Sequence, residues 1–117
     1  MDEQIANALR TDKTIDITTT GRVSGKPRRI EIWFHNVDDV IYISGSSGTR
    51  DWLANMRANP EFTFHLKGSV QADLPAQAIP ITDPDQRREI ISKFDGDHDL
   101  EAWVARSPLV RVEFMAE

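Results

Sequence analysis

Cysteine is absent from the 117 residues, which excludes disulfides, thiolate metal ligands and a cysteine nucleophile. No apolar run approaches the roughly 18 residues of a membrane-spanning helix, so no membrane span is expected. Basic residues are in deficit, 14 against 19 acids, for a net charge of -5. Such a field repels phosphates and argues against general nucleic-acid binding; an anionic ligand has to be small and held by a local patch. The opening "MDEQIANALR" is acidic and then amphipathic rather than a secretory signal, and a cytoplasmic location is expected. His35, His65 and His98 lie far apart without metal-ligand spacing, and no metal centre is expected. "DGDHD" starts like a calcium loop, but Arg106 stands where the twelfth-position glutamate belongs, which rules out an EF-hand.

What is present suits one domain, 1–117, with an ordinary hydrophobic content of 39%. Asp2 to Arg10 reads as a short amphipathic helix with acids at its start. "KTIDITTT" alternates and is rich in β-branched residues, so it reads as a strand running into a turn at Gly21. "PRRIEIWFHNV" alternates after Pro27, with Arg28, Ile30, Ile32 and Phe34 on one face and Arg29, Glu31, Trp33 and His35 on the other. "VDD" turns into "VIYIS", a second hairpin. "RDWLANMRANP" reads as a helix stopped at Asn59-Pro60. Two strands flank Gly68, the second interrupted by Pro75 and Pro80 as at an edge or bulge. A helix after Thr82, a shorter one near Trp103 and the strand "PLVRVEF" complete the chain. About six antiparallel strands in meander order, with inserted and terminal helices, predict an α+β domain on a small barrel.

Two stretches can carry chemistry. In "TTTGRVSGKPRRIEIW" four cations, Arg22, Lys26, Arg28 and Arg29, fall within eight positions. The glycines allow a tight turn that aims backbone N–H groups and the Ser24 hydroxyl where Arg22, Lys26 and Arg28 converge, the donor set of a phosphate or carboxylate site. A solvated hairpin whose bases pair with surface acids explains the same composition. "SGSSGTRDW" is small and hydroxyl-rich, as suits close approach of a planar ligand, yet it matches no phosphate-loop or dinucleotide fingerprint and also reads as a plain flexible loop. His65 reads as structural or solvent-facing. The three tryptophans read as core or rim packing, with Trp52, directly after the polar loop, the best candidate for a ligand contact.

Taken in order, "TTTGRVSGKPRR" resembles T-T-G-R-K-[ST]-G-x-P-R and "WLANMRANP" resembles W-Y-x-N-L-x-A-N-P of the deazaflavin (F-420)-dependent nitroreductase and quinone reductase family. The resemblance runs through nearly the whole chain. It implies a split β-barrel of the FMN-binding, pyridoxamine-phosphate-oxidase-like kind. It also implies coenzyme F-420 in a groove, with Arg22, Ser24, Gly25 and Arg28 on the phosphate and acidic tail and Lys26 and Arg29 adding positive field. Ser44, Gly45, Ser46, Ser47, Gly48 and Trp52 would border the ring. The implied reaction is hydride transfer to a small electron-poor acceptor: a quinone, an enone or a nitro compound. Val23 replaces the family's usual lysine, Ser46 stands for a lysine of the ring loop, and Phe94, Asp97 and Leu100 occupy the region where nitroreductase members present tyrosines. FMN remains the alternative cofactor, and a non-catalytic binding or storage role the alternative function. Ser46, Ser47, His98 or solvent are the candidate proton sources, and a monomer or weak homodimer is expected.

Overall fold

The computed structural model describes residues 2–45, 51–94 and 99–115. Six strands, β1 (Thr14–Thr20), β2 (Pro27–Val37), β3 (Val40–Ser44), β4 (Glu61–Lys67), β5 (Gln71–Pro80) and β6 (Leu109–Phe114), close into an antiparallel barrel. Four helices accompany them: α1 (Glu3–Thr11), α2 (Asp51–Ala58), α3 (Pro84–Ile91) and α4 (Leu100–Arg106). Among the described residues no helix is long and apolar enough to cross a membrane.

The spatial order β1-β2-β3-β6-β5-β4 differs from the single meander expected. Two three-stranded meanders pair instead, β3 with β6 and β1 with β4, because the chain crosses over through α2 between β3 and β4. Closure removes the exposed strand edges that an open meander would leave.

The proline reading is also corrected. β5 is continuous and pairs on both sides, with β4 and with β6. Ala78 N–H donates to the Pro60 carbonyl and Met115 N–H to the Pro75 carbonyl, which fixes the phase of both ladders. By that phase Pro75 faces Met115, just past the end of β6, and Pro80 faces the β4 side beyond the start of that strand. The missing N–H of Pro80 therefore has no ladder partner, and that of Pro75 forgoes only the reciprocal bond to Met115 at the ladder's end.

The alternation of β1 buries Ile15, Ile17 and Thr19 toward the barrel axis. There they meet Phe34, Ile43, Met56, Phe64 and Val110, with Phe64 set edge-on between Phe34 (5.5 Å) and Phe114 (5.2 Å). A second cluster forms where α3 and α4 cover the outer face of β3 and β6 through Ile91, Phe94 and Val104 against Tyr42 and Leu109. The β2–β3 turn has positive φ at both Asp38 (54°) and Asp39 (67°), a conformation acidic and amide side chains tolerate best.

Candidate cofactor groove

The turn between β1 and β2 is shaped by two glycines for different reasons. Gly25 has φ 71°, which an L side chain adopts only with strain. At Gly21 a Cβ would stand 2.6 Å from Ser24 Oγ, so a side chain there would push the Ser24 hydroxyl from its place in the turn. Gly21 N–H donates to the Lys26 carbonyl (2.9 Å) and Lys26 N–H to Ser24 Oγ (3.1 Å). Ser24 Oγ thus holds the turn as an acceptor while its own proton stays available to a ligand.

Arg22 is fastened to α2. Asn55 Oδ1 accepts from both the backbone N–H (3.0 Å) and Nη1 (3.1 Å) of Arg22, and Asp51 Oδ1 lies 3.5 Å from Nη2. Asn55, 4% exposed, also donates from Nδ2 to Thr19 Oγ1 at 3.3 Å. One buried amide therefore ties the turn, β1 and α2 together. Sequence reading missed Asn55, although it stands at the asparagine of the "WLANM" motif; hydrophobic pattern carries no signal for such a residue.

Arg28 lies opposite Thr19 in the β1–β2 register and is exposed, as is Lys26. Neither side chain makes a hydrogen bond or ion pair among the described residues. Arg29 points the other way and is spent: its Nε donates to Asp16 Oδ2 (3.0 Å), and Lys67 Nζ bridges Asp16 (2.7 Å) and Glu31. The Lys67 hydrogen bond, opposed by partial burial and aided by Arg29, holds the Asp16 carboxyl below its ordinary range. Arg29 accordingly does not join Arg22 and Arg28. Val23 projects into solvent at 93% exposure, so position 23 adds nothing to the cluster.

The barrel splits beside this turn. β3 pairs with β2 only from Phe34 to Val37, whereas β1 pairs with β2 from Pro27 to Trp33. Among the described residues no strand covers the second edge of Pro27–Trp33. Phe34 N–H donates to the Lys13 carbonyl, which sets the ladder phase. Alternation then turns the backbone groups of Arg28, Ile30 and Ile32 toward β1 and those of Arg29, Glu31 and Trp33 toward the open edge.

A groove of about 540 Å³ straddles that edge. Ile30 and Ile32 line it from one face of β2, Trp33 and His35 from the other, and Trp52 and Trp103 close it from α2 and α4. Trp52 is 6% exposed, Trp33 60%. Ser44 and Gly45 form its floor, but Ser44 Oγ donates to the Pro108 carbonyl at 2.6 Å and is a structural tie rather than a free donor. The structure thus brings Ser44, Gly45 and Trp52 together at the groove and gathers Arg22, Ser24, Gly25, Lys26 and Arg28 in and beside the turn. Ser46, Ser47 and Gly48 lie outside the described residues, as do Asp97 and His98. Trp33 and Trp103 were missed as groove residues because only the split edge and the α4 crossing bring them there. Of the tyrosine-region residues, Phe94 is buried against His35 and Leu100 packs in the second cluster.

A cationic turn fused to an apolar, open-edged groove is the arrangement that comparison with known proteins resolves. Residues 2–114 match the family described as F420H(2)-dependent quinone reductase. The chain belongs to this family. It is therefore a member of an oxidoreductase family whose cofactor is reduced F-420. Solved structures agree on the fold. A conserved hypothetical protein from Mycobacterium tuberculosis is 17% identical, with TM-score 0.77 over 99% of this chain and 82% of its own. A protein described as an F420 reductase is 18% identical, with TM-score 0.73 over 99% of this chain and 97% of its own. A FAD-binding protein from Mesorhizobium loti is 14% identical, with TM-score 0.64 over 99% and 91% respectively. At these identities the likeness is one of split-barrel fold.

Proposed function

We propose that the protein transfers a hydride from reduced F-420 to a small electron-poor acceptor such as a quinone, an enone or a nitro compound. The observation that carries this reading is the gradient along one face of β2. Arg28, Ile30 and Ile32 follow one another on that face, about 13 Å from the first Cα to the last at some 3.3 Å per residue. A ligand with an anionic end and a flat apolar ring meets cations at one end and isoleucine and tryptophan at the other. The donor set passes the same test, since Arg28 and Lys26 carry charge with no protein partner among the described residues, and a Cβ at Gly21 would displace the Ser24 hydroxyl.

In this reading Arg22, Ser24, Lys26 and Arg28 hold the phosphate and acidic tail, with Gly25 giving the turn its shape, and Ile30, Ile32, Ser44, Gly45 and Trp52 border the ring. The open-edge groups of Glu31 and Trp33 offer N–H and C=O partners to the ring's polar rim. The bound cofactor supplies the two electrons as a hydride, and the protein supplies position and field. Trp33 and Trp103 keep water from the reacting face, which favours a flat, hydrophobic acceptor.

Fluorescence titration of the purified apoprotein with F-420 and with FMN tests the cofactor, and oxidation of reduced F-420 by menadione tests the reaction. Saturable F-420 binding with menadione-dependent turnover is the expected result. Binding without turnover would favour the storage role, and selective FMN binding would overturn the cofactor assignment.

A further inference from the structure

A cavity of about 230 Å³ lies between the last turn of α2, the end of α4 and the start of β6, and shares no lining residue with the cofactor groove. Two guanidinium groups line it, Arg57 of α2 and Arg87 of α3, beside Thr82, Ser107 and the apolar Leu53 and Leu109. Among the described residues no acidic side chain does so. In a chain of net charge -5 this is a local excess of positive charge.

The two arginines differ in what holds them. Arg87 is half-buried, and its guanidinium donates to four backbone carbonyls, those of Ile81, Trp103, Val104 and Ser107. These acceptors are neutral, so they satisfy hydrogen bonds and leave the charge without an ionic partner. Four of its five N–H bonds are taken, and one on Nη1 is left. Burial first, and then the like charge of Arg57, hold Arg87 below the ordinary arginine range. Arg57 is exposed and makes no hydrogen bond or ion pair among the described residues. The acid nearest to the cavity in sequence, Asp83, caps α3 by accepting from Gln86 N–H (2.9 Å). Ser107 adds an independent sign. It is 3% exposed, and its hydroxyl is buried without a hydrogen-bond partner, although its backbone N–H and carbonyl are both bonded. A buried hydroxyl normally finds an acceptor. Two cations, a spare N–H and an unused O–H in one recess match the acceptor oxygens of an oxyanion.

We propose that this recess binds a small oxyanion of the phosphate or carboxylate type, held by Arg57 and Arg87 with Ser107 as the neutral donor. The site is separate from the cationic turn and does not depend on the reductase reading. Its place has a consequence for the groove. Arg57 belongs to the helix that carries Trp52, and Arg87 grips the end of the helix that carries Trp103, so a bound anion ties two walls of the groove together.

The test is NMR on the wild-type protein with isotope-labelled arginine, titrated with inorganic phosphate and separately with acetate, at an ionic strength held constant with sodium chloride. The Arg87 Nε–H, which donates to the Val104 carbonyl, is the reporter. Its resonance should shift saturably; a response to phosphate alone assigns a phosphate site, to acetate alone a carboxylate site, and to both a general oxyanion site. Arg57→Gln removes an exposed side chain without a partner, so it should keep the fold and weaken this binding about tenfold or more. Arg28→Ala, on the cationic turn, should leave it within about twofold, which separates this site from phosphate bound at the turn. An Arg87 resonance unmoved by either anion, an equal shift with chloride alone, or a response undiminished in Arg57→Gln would overturn the proposal. No cofactor or acceptor is present in the measurement, so its failure is distinct from a failure of the reductase reading.

Discussion

Asn55 shows how much of the site rests on one side chain. Its amide satisfies Thr19 and two donors of Arg22 from a buried position, so Asn55→Leu leaves those groups unpaired. We expect a loss of about 1–3 kcal/mol of stability in urea unfolding, together with weakened F-420 binding as the turn loosens. Arg28→Ala removes no hydrogen bond or ion pair among the described residues and should leave the melting temperature unchanged while cutting F-420 affinity about tenfold or more, measured by the same titration. Asp16 gives the pH prediction. Its carboxyl is held below the ordinary range, so its contribution is fully present above that range and disappears as pH falls through the lowered value. Asp16→Asn should therefore lower Tm by about 2–5 °C at pH 7, and the gap to wild type should close in acid, as followed by thermal scans. The sequence placed Arg22, Ser24 and Arg28 by motif, and its alternation already put Arg29 on the opposite face of β2. The structure adds the partner on that face, Asp16, which takes up Arg29. His65 proves structural, with Nδ1 at 2.7 Å from Asp73 and Nε2 at 2.7 Å from Thr18 Oγ1.

Among the elements, α3 and α4 are joined by a guanidinium. Arg87 on α3 donates to the Val104 carbonyl (2.8 Å), the Ile81 carbonyl (2.8 Å) and the Trp103 carbonyl (3.1 Å), and also to that of Ser107. Three of these carbonyls, those of Trp103, Val104 and Ser107, lie at the C-terminal end of α4, which carries Trp103 over the groove, and the fourth precedes α3. Arg87→Met should cost about 2–3 kcal/mol in urea unfolding and raise KM for the acceptor more than it weakens F-420 binding, since it frees the tryptophan wall and leaves the cationic turn alone. The helices themselves were legible in outline, and the structure adds their caps: Asp83 before Pro84, and Asp99 accepting from Ala102 N–H (3.2 Å). The strands were legible from alternation. Their spatial order was not, because a hairpin pattern is the same whether two meanders close on each other or one runs on. Pro75 and Pro80 misled for a related reason, since only the ladder phase tells whether a proline's missing N–H had a partner.

For the whole molecule, a net charge of -5 opposes an anionic cofactor at long range, and the cationic turn has to overcome that field at contact distance. The groove forms where, among the described residues, no strand covers the second edge of Pro27–Trp33: a short β3 leaves an edge, an apolar face and three tryptophans around one opening. No single stretch of sequence encodes that opening; it exists once β3, α2 and α4 are all in place. The central claim is that one strand reads both ends of the cofactor, charge at Arg28 and ring at Ile30 and Ile32. Its most direct test is the affinity of the wild-type protein for intact F-420 against that for the phosphate-free deazaflavin chromophore, repeated with Arg28→Ala. The account predicts at least about tenfold tighter binding of intact F-420 by wild type, and a difference much reduced in the variant. Equal affinities for the two ligands in wild type, or an undiminished difference in Arg28→Ala, would contradict it.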